Sequence, residues 1–278
     1  MNVLSLFDGM SCGQLALNRA NINYDNYFAS EIKKHAIETT QHNYPQTIQL
    51  GDVHNIEASQ LPKIDLLIGG SPCQNLTYMN SQGREGLEGE KSKLFYEYVR
   101  LLKETKPQFF LLENVGSMKN KDKEVITQIL GVEPIKFNSS LVSAQKRNRL
   151  YWTNIPFIGL PPDKKIMLDD IVDRNAPREE NWSEKKEAFV IRKNETMYVN
   201  IDGAKSIPIT ARGYSAWNTQ FITNHDGMLR DLTLEEYKKL QTIPSWYKFP
   251  CIKSKATNLI GDGWTIDVIS HLLKGMVK

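Results

Sequence analysis

Over its first 155 residues the chain alternates short apolar runs with helix-period segments, and this alternation restricts the fold more than any other feature. Apolar runs at 3–7, 26–30, 47–50, 64–69 and 108–112 have the length and composition of strands. Helix-period stretches at 13–20, 32–42 and 92–105 lie among them, and in the last Leu94, Tyr98, Leu101 and Leu102 share one face. Strands joined through helices can lie side by side in parallel, so the pattern predicts an α/β fold, a mostly parallel sheet with helices on both faces. Such sheets bind ligands at the carboxyl ends of their strands. Chemistry is therefore expected in the polar residues that follow each run: Phe7-Asp8-Gly9, Ser30-Glu31, Gly51-Asp52 and Gly69-Gly70-Ser71.

The alternation lapses beyond Pro156, Pro161 and Pro162. Charged clusters and isolated aromatics follow, and Ile207–Tyr214 reads as irregular β structure. Regular pattern resumes at Thr233-Leu234-Glu235-Glu236, a capping box that opens a helix closed by Pro244, and a final amphipathic helix is expected at 265–277. The expected organisation is a main domain at 1–154, a small loop-rich region at 155–229, and a segment at 230–278 that returns to the main domain.

Lys+Arg 35 against Asp+Glu 32 leaves a formal charge of only +3, which excludes a histone-like polycation. Residues 1–141 carry 14 basic and 16 acidic side chains, and 142–278 carry 21 and 16, so a polyanion would meet the second half first. Lys185, Lys186, Arg192, Lys193, Lys205 and Arg212 are candidate phosphate contacts, although Glu179, Glu180, Glu184 and Glu187 among them also fit a solvated surface. Cys12, Cys73 and Cys251 are far apart, with no Cys-x-x-Cys pair and no histidine pair at helical metal spacing, so neither structural zinc nor a disulfide framework is expected. The chain opens directly on a strand-like run and has no long apolar stretch, which predicts a cytoplasmic protein without a signal peptide or membrane span.

Phe7-Asp8-Gly9-Met10-Ser11-Cys12-Gly13 leads from the first strand into a helix, where two glycines allow a tight turn and close approach of a ligand to backbone. It is neither a dinucleotide fingerprint nor a Walker loop. Glu31 could take ribose hydroxyls and Asp52 an adenine amino group, although each alone is also a common solvated cap. In series they suit a nucleoside that does not depend on phosphate, S-adenosylmethionine better than NAD. Cys73, in Ser71-Pro72-Cys73-Gln74, is either a small core residue or a nucleophile beside a glycine-bearing lid at 74–91. Glu113, in Glu113-Asn114-Val115, is a helix cap or a general acid. Gln145, Arg147 and Arg149 alternate along one side of an extended segment, as on a solvated edge strand or a polar set gripping an anionic or carbonyl-bearing substrate.

In this order the motifs resemble the DNA cytosine-5 methyltransferase family. Arg230-Asp231-Leu232-Thr233 with Glu236 and Leu240-Gln241, then Gly261-Asp262-Gly263-Trp264, match its last two motifs. Phe7-Asp8-Gly9, Ser71-Pro72-Cys73 and the terminal Gly-x-x-Trp are most similar to the de novo methyltransferase branch, and the compact length suits a bacterial or phage form. The resemblance implies a Rossmann-like methyltransferase fold in which 155–229 is the target-recognition region. It implies S-adenosylmethionine, without a metal, held by Phe7, Asp8, Gly9, Met10, Cys12, Glu31, Ile32, Asp52, Val53, Gly70, Pro72, Leu94, Gly263 and Trp264. Cys73 is implied as the nucleophile toward C6 of a flipped cytosine and Glu113 as the group on N3 and the exocyclic amine. Arg147 and Arg149 are implied on the O2 side and the active-site loop. Gln74, Asn75, Gln145 and Arg212 are expected at double-stranded DNA; a homodimer and a cognate restriction endonuclease are partners the family allows. Three positions depart from common patterns: Ser5 where many bacterial members have an acid, Gln74 where the de novo branch has Asn, and Asp262 where that branch has a basic residue. A tRNA substrate is the rival within the family, but its Cys-Phe signature is missing.

Overall fold

The structure, a computed structural model, describes residues 1–71, 94–196, 198–211 and 219–277. It divides into two compact units. The first comprises Met1–Phe137, Asn148–Leu160 and Ser270–Lys278, the second Asn138–Arg147 and Pro161–Ile269. Of the segment 230–278, only Ser270–Lys278 belongs to the first unit, and the short stretch Asn138–Arg147 belongs to the second.

The described residues form a seven-stranded sheet from β1 (Asn2–Leu6), β2 (Asn26–Ser30), β3 (Ile48–Gln49), β4 (Leu66–Gly70), β5 (Phe109–Val115), β6 (Ile135–Asn138) and β7 (Asn148–Thr153). Their order is β3-β2-β1-β4-β5-β7-β6. β3, β2, β1, β4 and β5 pair in parallel, and β7 runs antiparallel to β5. The chain thus winds outward from β1 one way and then the other, the doubly wound topology whose switch point lies between β1 and β4. Val3, Leu4 and Leu6 of β1 and Leu66, Leu67 and Ile68 of β4 are all fully buried. Such continuous apolar runs are what a parallel strand covered on both faces requires. Helices α1 (Cys12–Ala20), α2 (Lys34–Asn43), α3 (Leu94–Thr105) and α4 (Asn120–Leu130) complete this unit's regular elements up to β6. The core is built largely from Leu4, Leu6, Leu67, Phe95, Tyr98, Leu112 and Trp152.

The second unit holds a three-stranded sheet of β8 (Val199–Ile201), β9 (Thr219–Thr223) and β10 (Leu229–Asp231), with helices α5 (Glu184–Lys193), α6 (Leu234–Leu240) and α7 (Lys253–Asp262). Helix α5 lies where a loop-rich stretch was expected. Its signals are local: Ser183 caps it by accepting from the Lys186 N–H at 3.1 Å, Glu184 and Glu187 sit in its first turn, and Arg192 and Lys193 in its last. Those charges complement the helix dipole, and Glu184, Lys185, Arg192 and Lys193 lie on its exposed surface. Ile207–Ala211 forms no strand, and Ser206 makes a single bridge to Gln145. The last helix, α8 (Ile266–Leu273), ends in a 3-10 turn at Lys274–Val277. No helix among the described residues is long and apolar enough to cross a membrane.

The capping box at Thr233 forms as expected: its hydroxyl accepts from the Glu236 N–H at 3.2 Å, and Glu236 accepts from the Thr233 N–H at 2.7 Å. Glu236 does more than cap. It is paired bidentately with the Arg230 guanidinium at 2.7 and 2.9 Å, and both side chains are essentially buried. It also accepts from the Asp173 N–H at 2.7 Å, while Arg230 donates to the Asp173 carbonyl at 2.6 Å. Burial opposes ionisation of Glu236, but the Arg230 pairing and the backbone N–H groups of Thr233 and Asp173 outweigh it and hold the carboxyl below its ordinary value. Removing one partner of such a pair leaves a buried charge uncompensated, so Glu236→Gln is expected to cost about 3–5 kcal/mol in urea unfolding. The wild-type contribution is complete above the ordinary glutamate pKa and fades as the pH falls through the depressed folded value. The gap between variant and wild type should therefore narrow only in acid.

Candidate active site

The strand ends of the first unit converge on a rim built from three consecutive loops. After β1, Phe7, Gly9 and Ser11 have φ of 57°, 59° and 59°, a left-handed alternation that folds the chain tightly against the start of α1. Two of these residues have side chains, so the turn stores strain on the order of 1–3 kcal/mol at each, a common property of ligand sites. The space that a Cβ on Gly9 would enter is open, with no atom of the described residues within 4 Å. Glu31, just beyond β2, holds this turn in place. Its carboxylate accepts from the Gly9 N–H at 2.8 Å and from the N–H groups of Ile32 and Lys33 at 2.7 and 2.8 Å. Beside it Ile32 is 71% exposed, an apolar surface at the rim. Ser30 donates to the Gly51 carbonyl at 2.8 Å, tying the third loop to the second, and Asp52 caps a short 3-10 turn by accepting from the His54 N–H at 3.1 Å.

Asp8 is the unusual member. Its side chain is buried, Tyr27 donates to its Oδ1 at 2.8 Å, and its Oδ2 has no hydrogen-bond partner among the described residues. Burial pushes its carboxyl up from 3.8 to about 6, opposed by hydrogen bonds from Ser5, Tyr27 and Ser11 and helped by the neighbouring charge of Glu31. A buried acid with an unpartnered oxygen suits a cationic group. Met10, Cys12 and Val53 are buried side chains, so they can offer a ligand only backbone, and Leu94 packs against the core.

A second constellation stands at the end of β5. Gly70 of β4 is in register with Glu113, and Val115 with Arg149 of β7. Arg149 Nε reaches Glu113 Oε1 at 2.7 Å, with both side chains largely buried. Next to them Asn114 donates to the Ser71 hydroxyl at 3.1 Å and carbonyl at 3.4 Å, and accepts from the Val115 N–H at 2.8 Å. Asn114 thus fixes the backbone immediately before Pro72. Sequence reading passed over it, although its place between Glu113 and Val115 was the available signal. Pro72, Cys73, Gln74 and Asn75 lie outside the described residues, as do the lid at 74–91 and Arg212.

The alternation of Gln145, Arg147 and Arg149 does not survive folding. Strand geometry begins only at Asn148, so Arg149 belongs to the first unit while Gln145 and Arg147 belong to the second. Arg147 is 4% exposed, and its guanidinium donates to the carbonyls of Ile209 at 2.7 Å and of Gly261 and Gly263 at 3.0 Å each. Gln145, expected at DNA, is wholly buried. It donates to the Leu240 carbonyl at 3.1 Å and accepts from the Ile209 N–H at 2.9 Å. Gln241 donates to the carbonyls of Ile260 and Gly263 at 3.0 and 3.1 Å and accepts from Thr265 at 2.7 Å. Two side chains therefore clamp the Gly263 carbonyl beside Trp264. A Cβ on Gly261 would lie 2.1 Å from the Thr210 carbonyl carbon, so only glycine allows this backbone crossing. Of the expected phosphate contacts, Lys186 pairs with Asp231 and Lys205 donates to the carbonyls of Ser140 and Ser143. Lys185, Arg192 and Lys193 remain on the exposed surface of α5.

Comparison with known proteins gives this arrangement a context. The profile of the C-5 cytosine-specific DNA methylase family matches residues 1–156 and 143–278. The orphan methyltransferase M.SPRI of Bacillus phage SPR is 30% identical over 276 residues, covering 98% of this chain and 58% of that protein. The Type II methyltransferase M.NgoBV of Neisseria gonorrhoeae is 35% identical over 132 residues, 46% of this chain and 31% of its own length. The chain spans less than two thirds of the length of these relatives. Among solved structures, the Entamoeba histolytica methyltransferase EhMeth matches with a TM-score of 0.80 at 18% identity, covering 99% of this chain and 97% of that one. The S. pombe Dnmt2 methyltransferase matches with a TM-score of 0.75 at 19% identity, covering 99% and 97%. At those identities the likeness is one of fold, an α/β Rossmann-like methyltransferase fold.

The buried carboxyl at the rim has a measurable signature. A carboxyl held at about 6 in the folded chain and 3.8 in the unfolded one binds its proton more tightly when folded, so ionising it costs stability as the pH rises between those values. Unfolding of Asp8→Asn and wild type, compared without ligand from pH 4 to 8, should show the variant gaining on the order of 2–3 kcal/mol across that window and no more above it. A difference independent of pH contradicts the buried environment described for Asp8.

Proposed function

The chain belongs to the C-5 cytosine-specific DNA methylase family, and on that premise we propose that it transfers a methyl group from S-adenosylmethionine to C5 of a cytosine flipped out of duplex DNA at a short specific site. The observation that carries this reading is the Glu113–Arg149 pair in register with Gly70, three residues before Cys73. Three peptide steps span on the order of 10 Å at full extension, so a thiol at Cys73 stays within reach of a base bound at Glu113. Asn114, holding Ser71, restricts that loop further.

The rim of the first unit fits the methyl donor. The unpartnered Asp8 Oδ2 suits its ammonium or sulfonium charge, the open space over Gly9 admits its backbone-like portion, and Glu31 stands where ribose hydroxyls would meet an acid. Ile32 offers the apolar surface for a flat ring, with Asp52 and Val53 next along the rim. When bound, S-adenosylmethionine supplies an electrophilic methyl group on a positively charged sulfur. It takes up no proton from the protein and needs no metal.

The chain's own residues then have distinct tasks. The thiolate of Cys73 adds to C6, forming the S–C6 bond and moving the C5=C6 electron pair onto C5. Glu113, hydrogen-bonded to N3 and the exocyclic amine, stabilises the charge that spreads into the ring, and Arg149 keeps that carboxyl oriented. With the carbanionic C5 taking the methyl group and the donor's S–CH3 bond broken to leave S-adenosylhomocysteine, a base removes the C5 proton, the pair returns to C5=C6, and the Cys73 thiolate is expelled. Extruding the base costs a few kcal/mol of stacking and pairing, which pocket contacts offset. The region 155–229 is proposed to read the DNA sequence, and Gln74, Asn75 and Arg212 to touch DNA.

Arg147 receives a different role from its neighbour. Buried against the carbonyls of Gly261 and Gly263, it fixes the loop that carries Trp264, a residue that the family resemblance assigns to the donor. Cys73→Ala is expected to abolish transfer of labelled methyl groups to DNA while calorimetric donor binding stays intact. Methylation persisting in that variant removes the covalent mechanism. Arg147→Lys cannot make the same three bonds, so it should weaken donor binding roughly tenfold, the loss of about 1–2 kcal/mol of charge-assisted hydrogen bonding. Arg149→Lys should instead lower kcat with donor affinity near wild type. The reverse pattern for these two arginines would return Arg147 to the cytosine.

A further inference from the structure

The turn between α6 and α7 presents an aromatic and basic surface that none of the assigned roles uses. Residues 244–258 contain Lys248, Lys253 and Lys255 and no Asp or Glu. Within this turn Trp246 is 50% exposed and Ile252 67% exposed. An exposed tryptophan on a loose loop would mean little, but this one is held rigidly from below. Tyr247 is fully buried, its N–H donates to the Pro244 carbonyl at 3.1 Å, and its ring packs against Trp246 and Phe249 at centroid distances of 5.8 and 5.4 Å. The ammonium of Lys238, a side chain only 2% exposed, donates to the Ser245 carbonyl at 3.0 Å. The turn is anchored on both sides of Trp246, and the indole is what it displays.

The charges around it favour one kind of partner. Lys248, Lys253 and Lys255 are all exposed, and Lys253 reaches Glu179 at 2.9 Å. Helix α7 starts here with lysines in its first turn, no acid there and no side-chain cap on its N-terminal N–H groups. Cations at that end oppose the helix dipole, an arrangement that an anionic partner relieves. A second copy of this chain, meeting the same surface about a twofold axis, would set lysines against lysines. A sugar–phosphate backbone does the opposite, since it pairs apolar deoxyribose faces with regularly spaced anions.

We propose that the Trp246 turn is a docking surface for the DNA backbone, with Trp246 and Ile252 packing on sugar or base faces and Lys248, Lys255 and the start of α7 receiving phosphates. The inference rests on the reading of duplex DNA as substrate, and it adds a contact separate from the region 155–229.

The test is fluorescence anisotropy of a short labelled unmethylated duplex at several salt concentrations, with wild type, Trp246→Ala and the double variant Lys248→Gln/Lys255→Gln. Losing two phosphate contacts should weaken binding about tenfold at low salt and reduce the slope of log affinity against log salt by roughly 2. Trp246→Ala should weaken binding roughly tenfold with the salt slope unchanged, as loss of a stacking or apolar contact does. Unchanged donor binding by calorimetry establishes that each variant is folded, and the lysine variant decides if Trp246→Ala does not fold. Wild-type affinity and slope in both variants overturn the docking surface while leaving the methyltransferase reading intact. A wild-type dimer that Trp246→Ala converts to monomer in sedimentation, with duplex binding unchanged, also overturns it and makes the turn an interface between copies. Wild type that fails to bind any duplex removes the substrate reading itself, and the docking surface with it.

Discussion

Parallel pairing of β1 with both β2 and β4 is the constraint on which the rest of the first unit depends. Because these strands run the same way, Leu6 is level with Ser30 on one side and Gly69 on the other, and Gly70 is level with Glu113. Every loop that leaves a carboxyl end then emerges on one edge, and Asp8, Glu31, Asp52, Gly70 and Glu113 become neighbours of one rim although they span more than a hundred positions. The register is secured by burial: a slip of one residue along β1 would exchange the faces on which Val3, Leu4 and Leu6 pack. The antiparallel β7 adds what a purely parallel sheet cannot, a strand that runs back along β5 and delivers Arg149 to Glu113.

The second unit is held together by different means. One of its apolar clusters is centred on Val190, Val199, Phe221 and Leu229 with Trp182 against them, and Leu168, Leu240, Tyr247, Ile260 and Ile269 are buried elsewhere in the unit. Besides these apolar contacts, buried polar side chains bind backbone carbonyls: Arg147 to Ile209, Gly261 and Gly263, Gln241 to Ile260 and Gly263, and Arg230 to Asp173. Such groups cost free energy to bury and are tolerated only when they are bonded. What they provide is definition in segments with no regular structure, because a carbonyl held by two donors has one position. Arg147 thus serves as a fastener here, while Glu113 and Arg149 stand on strands.

Legibility followed the range of the interactions involved. Strand ends could be read as binding positions because topology alone dictates where parallel strands put ligands, and the acids Glu31 and Asp52 announce themselves there. The box at Thr233 and Glu236 was legible because both partners lie within one helical turn, whereas the pairing of Glu236 with Arg230 inside the core was not. The alternation of Gln145, Arg147 and Arg149 does not put the three on one strand, because β7 begins only at Asn148. Helix α5 was missed for a different reason. Its cap and end charges were visible, but a single short buried face at Val190 is too weak a period to stand out.

The sequence by itself determined the class of fold, the order of the motifs and the family to which they belong, because those follow from local periodicity and from residue types at short spacing. Tertiary structure alone decided that Asp8 is buried with one oxygen unpartnered among the described residues, that Arg149 joins Glu113 while Arg147 turns to Gly261 and Gly263, and that Trp246 is held outward. Each of these depends on which surfaces remain after strands and helices have packed. Burial and the partner a charge finds are properties of distant residues brought together, so no local pattern contains them.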